Sequence, residues 1–363
     1  MPPVSTSLSV PLAALMLVVV GLVSCSSADE SGADDQTSAT TPTVEATVAE
    51  GLTSPWGIAF LPDDTALVSE RDTAMIKAID PAGRVRTVGT VPGVNPSSEG
   101  GLLGLAVAPG QRARAWIYAY YSSADDNRVV RMSYDGDRLG DPQPVLDGIP
   151  MSDFHNGGRV AFGPDGMLYV TTGDATERGN ATDPDSLGGK ILRVTPEGEP
   201  APGNPTAGSP VWTSGHRNVQ GIAWDDEDRL WASEFGQDTW DELNVIEPGN
   251  DYGWPDVEGR ADKQGVVDPQ VQWSPEDASP SGVAFANGAV WMAGLRGARL
   301  WRIEVSGGTV VGQPEAFLTA EYGRLRTVVA APDGSLWVST SNTDGRGDPR
   351  DGDDKILRLD VCC

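Results

Sequence analysis

Val160-Ala161-Phe162-Gly163-Pro164-Asp165-Gly166, followed by Leu168-Tyr169-Val170, reads as two short strands joined by a tight turn. Proline presets φ and glycine takes the positive-φ position, so the chain reverses between the strands. Alternating β-branched, aliphatic and aromatic side chains suit strands packed on both faces. The pattern recurs at Gly57-Ile58-Ala59-Phe60 before Ala66-Leu67-Val68-Ser69, and at Gly104-Leu105-Ala106-Val107 before Trp116-Ile117-Tyr118-Ala119. It returns at Ile222-Ala223-Trp224 before Leu230-Trp231-Ala232-Ser233, at Val283-Ala284-Phe285 before Val290-Trp291-Met292, and at Val329-Ala330-Ala331 before Leu336-Trp337-Val338-Ser339. Successive repeats lie about 45–62 residues apart, as expected for four-stranded propeller blades with their loops. A single hairpin cannot bury its faces, whereas six sheets arranged radially can. The expected fold is therefore all-β: a six-bladed β-propeller of four-stranded antiparallel blades, in preference to another all-β architecture. Residues 43–50 are expected to pair with residues 355–359 in the last blade and close the ring. No stretch reads as a long amphipathic helix.

Working outward, residues 8–23 are almost wholly apolar and carry no charge. That run is short for a membrane span and suits the core of a secretory signal. It ends in Leu22-Val23-Ser24-Cys25, which resembles the bacterial lipobox, although no Lys or Arg precedes it. The expected domains are a lipoprotein signal peptide over 1–25, a Ser/Thr/Ala/Asp tether over 26–43 too polar to form a core, and a propeller over 44–363. Cys25 is the expected lipidation site. The expected location is the outer face of the bacterial cytoplasmic membrane or cell surface, with the lipid as the only membrane contact. Cys362 and Cys363 complete the three cysteines and suggest neither a disulfide framework nor a zinc site.

The 363 residues include 52 acidic and 26 basic side chains, a formal charge of −26. That balance argues against nucleic-acid binding and against docking on anionic lipid. In so acidic a chain, clustered arginines suggest an anionic ligand. Arg324-Leu325-Arg326 places two guanidiniums on one side of a strand, as a paired anion site. Leu295-Arg296-Gly297 lies at a corresponding place one blade earlier. His155, in His155-Asn156-Gly157-Gly158-Arg159, is a candidate general base or a structural turn histidine. Gly215-His216-Arg217-Asn218 holds the second of the two histidines. The stretch from Glu234 to Asn244 is rich in oxygen donors of the type calcium prefers. No dinucleotide fingerprint or Gly-x-Ser-x-Gly elbow is present.

Over residues 48–359 these loops, taken in order, resemble the soluble quinoprotein glucose dehydrogenase and aldose sugar dehydrogenase family, also called glucose/sorbosone dehydrogenases. Glu99-Gly100-Gly101-Leu102-Leu103-Gly104, His155-Asn156-Gly157-Gly158-Arg159, Gly215-His216-Arg217-Asn218, Asp241-Glu242-Leu243-Asn244, Tyr252-Gly253-Trp254-Pro255, Ser279-Pro280-Ser281-Gly282 and Arg324-Leu325-Arg326 carry the resemblance. It implies oxidation of an aldose at C1 to the lactone, with pyrroloquinoline quinone (PQQ) and Ca2+ as cofactors and an electron acceptor that the sequence does not name. His155 matches the general base. Arg217 matches the group that stabilises charge on the quinone, with Asn218 on the cofactor. Arg296, Arg324 and Arg326 match its carboxylate partners. Glu99 stands where Gln is frequent, and Trp273 is assigned to the ring face. Carbonyls of Gly236 and Gln237 match one calcium position, and Glu242 with Tyr252 a second. Phe235 stands where relatives often carry His or Gln, and Gln237 replaces a frequent Pro. The loops over the pocket are short, so a monomer is expected. A non-catalytic carbohydrate- or partner-binding propeller and a calcium-dependent lactonase are the competing readings.

Overall fold

The computed structural model describes residues 41–110 and 115–361. The apolar leader, Cys25, most of the 26–43 tether, Cys362 and Cys363 lie outside the described residues. Within them the chain is a six-bladed propeller of antiparallel sheets, and the one helix is the 3-10 turn Arg178–Ala181. Each blade begins with a hairpin predicted from the repeat. These are Pro55–Phe60 with Ala66–Glu70 (blade 1), Leu102–Val107 with Ala115–Ser122 (blade 2), and Val160–Phe162 with Leu168–Thr171 (blade 3). Val219–Trp224 with Leu230–Glu234 opens blade 4, Pro280–Ala286 with Ala289–Gly294 blade 5, and Leu325–Ala330 with Leu336–Thr340 blade 6. Two further strands complete blades 1 to 4 in chain order. In blade 5 the outer position is split, with Thr309–Val310 and Glu315–Phe317 both pairing Arg299–Ser306. Blade 6 takes Ile356–Asp360 as its third strand, and Thr43–Ala49 hydrogen-bonds to that strand on its outer side.

The core lies between neighbouring sheets. Ile58, Ala66 and Val68 of blade 1 share one apolar cluster with Trp337 and Ile356 of blade 6, so the first and last sheets pack directly. Trp231 and Leu243 of blade 4 likewise meet Val283, Val290 and Met292 of blade 5.

The first strands crowd together at the axis. Five of the six bulge at nearly the same level, just before Ile58, Leu105, Gly221, Val283 and Val328. A bulge inserts a residue and re-aims its neighbours. Gly57, Gly104, Gly221 and Gly282 occupy the matching position in four blades. A Cβ on Gly57 would stand 2.8 Å from Leu103 O, and one on Gly282 would stand 2.8 Å from Thr327 Cα. Buried hydroxyls from one blade then bond the next. Ser69 donates to Leu103 O, Thr171 to Val219 O at 2.8 Å, Ser233 to Ser281 O at 2.6 Å, and Thr327 to Trp56 O.

Thr171 also accepts from Arg159 N at 3.0 Å and is fully buried. Replacing it by Val keeps the shape and strands both partners. Thr171→Val is expected to lose about 1–3 kcal/mol of stability, seen as a lower urea midpoint at unchanged m-value.

Candidate active site

The bulged strands place Trp56, Gln220 and Arg326 at the floor of a cavity of about 340 Å³ on the axis. Its wall includes Arg71, Glu99, Phe235, Arg296, Arg324, Asp344 and Arg346. That volume falls within the usual range of about 300–1,000 Å³ for small-ligand sites. Arg324 and Arg326 point the same way, as their spacing predicts. Both reach Asp344 Oδ2, at 3.0 and 3.3 Å. Burial alone would raise the Asp344 carboxyl, but the two guanidiniums outweigh it and hold it below the ordinary carboxylate value. Burial lowers Arg326 to about 10. Arg296 stands further out, largely exposed and paired with Glu276 at 2.8 Å.

His155, with φ of 59°, does not itself line this cavity, and neither do Arg217 and Asn218; Glu99, which does, joins His155 to the wall. Glu99 Oε2 accepts from the His155 backbone N at 3.1 Å, while Glu99 Oε1 takes Arg346 at 2.6 Å. Gly157, at φ 61°, passes so near blade 3 that a Cβ would lie 2.5 Å from Thr172 Cα. Its N–H donates to Asn218 Oδ1 at 2.9 Å, which ties the loop of His155 to the loop of Arg217. The imidazole Nδ1 lies 2.7 Å from Asp174 Oδ1. Asp174 is buried, and burial pushes its carboxyl up. Hydrogen bonds from His155, Thr176 N and Trp254 overcome that and hold it low, so it is ionised near neutrality. An ionised carboxylate only accepts. Nδ1 therefore carries the proton, and Nε2 is left as the basic lone pair.

The other histidine has a different environment. His216 is fully buried between Glu234 at 2.8 Å and Thr213 at 2.9 Å, and stacks on Tyr252. Glu234 also accepts from Arg217 N, so this pair supports the Arg217 loop from behind. The Arg217 guanidinium reaches the carbonyls of Phe235 and Gly236 at 3.3 and 2.5 Å, and its Nε is buried without a hydrogen-bond partner.

The remaining expected residues divide. Trp273 does not line the cavity. It is the last residue of Val271–Trp273, the outer strand of blade 4, and packs on Trp301 at 5.6 Å. Gln237 N donates to Glu258, and its side chain takes Arg178. Glu242 accepts from Asn244 and Gly259 N. Burial, with the Glu234 charge adding, pushes Glu242 up to about 8. Tyr252 uses its hydroxyl on Val245 O and Glu247 N, so its side chain is committed to its own loop. Sequence reasoning missed Asp174, Trp254, Asp344, Arg71 and Arg346.

Residues 52–357 match the family model described as glucose/sorbosone dehydrogenase. The chain belongs to that family. A PQQ-bound aldose sugar dehydrogenase from Streptomyces coelicolor shares 58% identity and superposes with a TM-score of 0.86, over 88% of this chain and 98% of that one. The aldose sugar dehydrogenase YliI of Escherichia coli is 30% identical, over 81% of this chain and 89% of its own. Quinoprotein glucose dehydrogenase B of Acinetobacter calcoaceticus is 31% identical, over 66% of this chain and 59% of its own.

Asp344 is the shared counter-charge of two buried arginines, which makes its removal testable. Its folded-state pKa is depressed, so its contribution to stability is present above the unfolded carboxylate value and disappears as pH falls through the folded one. Asp344→Asn is expected to be less stable than the parent in urea at pH 7, with the difference closing below about pH 4.

Proposed function

We propose that this chain is a PQQ-dependent aldose dehydrogenase in which His155 is the general base. The observation that carries the reading is the charge of the cavity beside that base. Arg324 and Arg326 share one carboxylate, and Arg217 has no carboxylate partner among the described ion pairs. Guanidinium forks in excess of carboxylates suit a planar ligand bearing several carboxylates. The orphaned Nε of Arg217 is a donor still without an acceptor. The residues present therefore fit the quinone. Arg324, Arg326 and the outlying Arg296 would hold its carboxylates, with Asn218 and Arg217 at the reacting side and Trp56 on the floor. Bound there, PQQ supplies the hydride acceptor for C1 of the sugar.

The protein's own part is proton handling and electrostatics. His155 Nε2 takes the proton of the anomeric hydroxyl, and the lactone is left. Asp174 keeps Nδ1 protonated and stabilises the imidazolium that forms. Arg217 places a preorganised positive charge where negative charge develops.

For calcium, no cluster of three or more His, Cys, Asp or Glu side chains suited to a metal occurs among the described residues. Carbonyl and amide oxygens are the available donors. Gly236 O and Gln237 O form the proposed site, at which the Arg217 guanidinium now on Gly236 O would give way to the ion. At the second position Glu242 lies beside Asn244 Oδ1, a buried oxygen with no hydrogen-bond partner, and since the Tyr252 hydroxyl is committed elsewhere its backbone carbonyl is the further proposed ligand. Both donor sets suit a hard cation. Calcium there would supply Lewis acidity to the cofactor. Export and lipid anchoring through Cys25 belong to the same proposal and call for a mature protein labelled by fatty acid.

The purified domain, given PQQ and Ca2+, is expected to reduce a dye with aldoses. Absence of quinone binding by fluorescence titration overturns the reading. His155→Ala should lose turnover by about 10²–10⁴-fold, the usual worth of a general base, while binding quinone nearly as well. Arg324→Ala should weaken quinone binding by about tenfold or more, as loss of a charge-assisted hydrogen bond does.

A further inference from the structure

Trp254 has no part in the chemistry described so far, yet it touches both halves of it. Its indole is buried, and Nε1 donates to Asp174 Oδ2 at 2.9 Å. The other oxygen of Asp174 takes His155 Nδ1 at 2.7 Å and Thr176 N at 2.8 Å. Two guanidiniums lie against the ring, Arg217 at 5.5 Å and Arg178 at 5.0 Å from its centre. The segment is stitched to the loop that carries Arg217. Trp254 N donates to Gly215 O at 2.9 Å and Tyr252 N to Ser214 O at 3.0 Å. One side chain therefore connects the carboxylate that holds His155 with the guanidinium of Arg217.

We propose that Trp254 is a positioning residue that sets the proton affinity of the His155–Asp174 pair through its indole N–H while its ring face fixes Arg217. A donor to a carboxylate draws off part of its negative charge. With the indole in place, Asp174 divides that charge among three donors. Without it, Oδ2 stays buried and unsatisfied, more charge faces the imidazole, and the pair binds its proton more tightly. The direction is upward. The other charged groups around the pair are Arg217 and Arg178 across the indole, Glu99 on the His155 backbone, Arg346 over Phe154, and Asp153 on Ser97. Trp254→Phe leaves all of them in the chain and keeps an aromatic face for the two arginines.

The kinetic arm of this inference rests on His155 being the base, but the spectroscopic arm does not. The chain has two histidines, so ¹⁵N-histidine labelling of the full-length protein gives two ring systems, with fully buried His216 as the internal reference. In Trp254→Phe the His155 titration is expected to move to higher pH by about one unit, tenfold in proton affinity. The acid limb of kcat/KM for the PQQ-loaded enzyme should move by the same amount, because the neutral imidazole is the active form. A folded variant whose His155 midpoint is unchanged or lower overturns the proposal. A second measurement needs no variant. In the parent protein the Trp254 indole ¹H–¹⁵N resonance should shift with the His155 midpoint, and an indole indifferent to that titration also overturns the proposal. A shifted imidazole with an unmoved acid limb supports the coupling and overturns His155 as the base.

Discussion

Close approach of the six first strands at the axis is the constraint on which the rest of the structure depends. Where Gly57, Gly104, Gly221 and Gly282 stand, there is no room for a Cβ. Blades 3 and 6 carry Arg159 and Thr327 at that level, and these two bond each other at 3.1 Å across the channel. Arg159 also donates to Gln220 O at 2.9 Å and lies over Trp56, 4.3 Å from the ring centre. The four glycines let each first strand lie against its neighbour, because a Cβ there would meet the neighbouring strand. Through Arg159, blades 1, 3, 4 and 6 are tied at one level, directly below the cavity floor. A bulky residue at any of the four glycines would push blades apart and move the floor with them, so fold and site share one packing solution.

The same crossing explains a charge arrangement that the bulk composition hides. The chain as a whole carries a formal −26, yet the cations of its axis outnumber their carboxylate partners. Arg159 has no carboxylate partner among the described ion pairs; burial, with the nearby charge of Arg326 adding, lowers it to about 9. Keeping several guanidiniums together without a full set of counter-ions costs free energy. The fold offsets the cost with carbonyls, aromatic faces and the single bridging carboxylate of Asp344.

The fold was legible because its signals are local. Period-two alternation and a Pro-Asp-Gly turn sit within a dozen residues, and the six hairpins fall where the repeat puts them. The arginine pair was legible for the same reason, since Arg324 and Arg326 share one short stretch. What escaped was every partner supplied from far along the chain. Asp174 meets His155 across a hairpin, Trp254 reaches Asp174 from the next blade, and Asp344 closes on the arginines from the following loop. An aspartate in an acidic sequence has no mark that separates an orienting role from a solvated one. Trp273 pairs with Asp241 in the outer strand of blade 4 and packs into the apolar cluster shared with blade 5, a placement that its spacing from the other motifs does not reveal. The two histidines looked alike in sequence, and burial separates them: His216 has both ring nitrogens occupied, His155 only one.

At Phe235 and Gln237, where the chain departs from the family pattern, the loop is held through its backbone. The Arg217 guanidinium is held by the carbonyls of Phe235 and Gly236, which every residue type provides. The turn that presents them is fixed by Glu258, whose Oε1 accepts from the backbone N–H groups of Gln237, Asp238, Thr239 and Trp240 at 2.7–3.0 Å. Asp241 adds a further acceptor for Gly236 N at 2.9 Å. Side chains at 235 and 237 are thus free to vary while the oxygens stay aimed. Gln237 uses that freedom to bond Arg178, which lies against Trp254 and so against the carboxylate behind His155. Gln237, which stands where the resemblance expects Pro, thereby belongs to the contact network around His155.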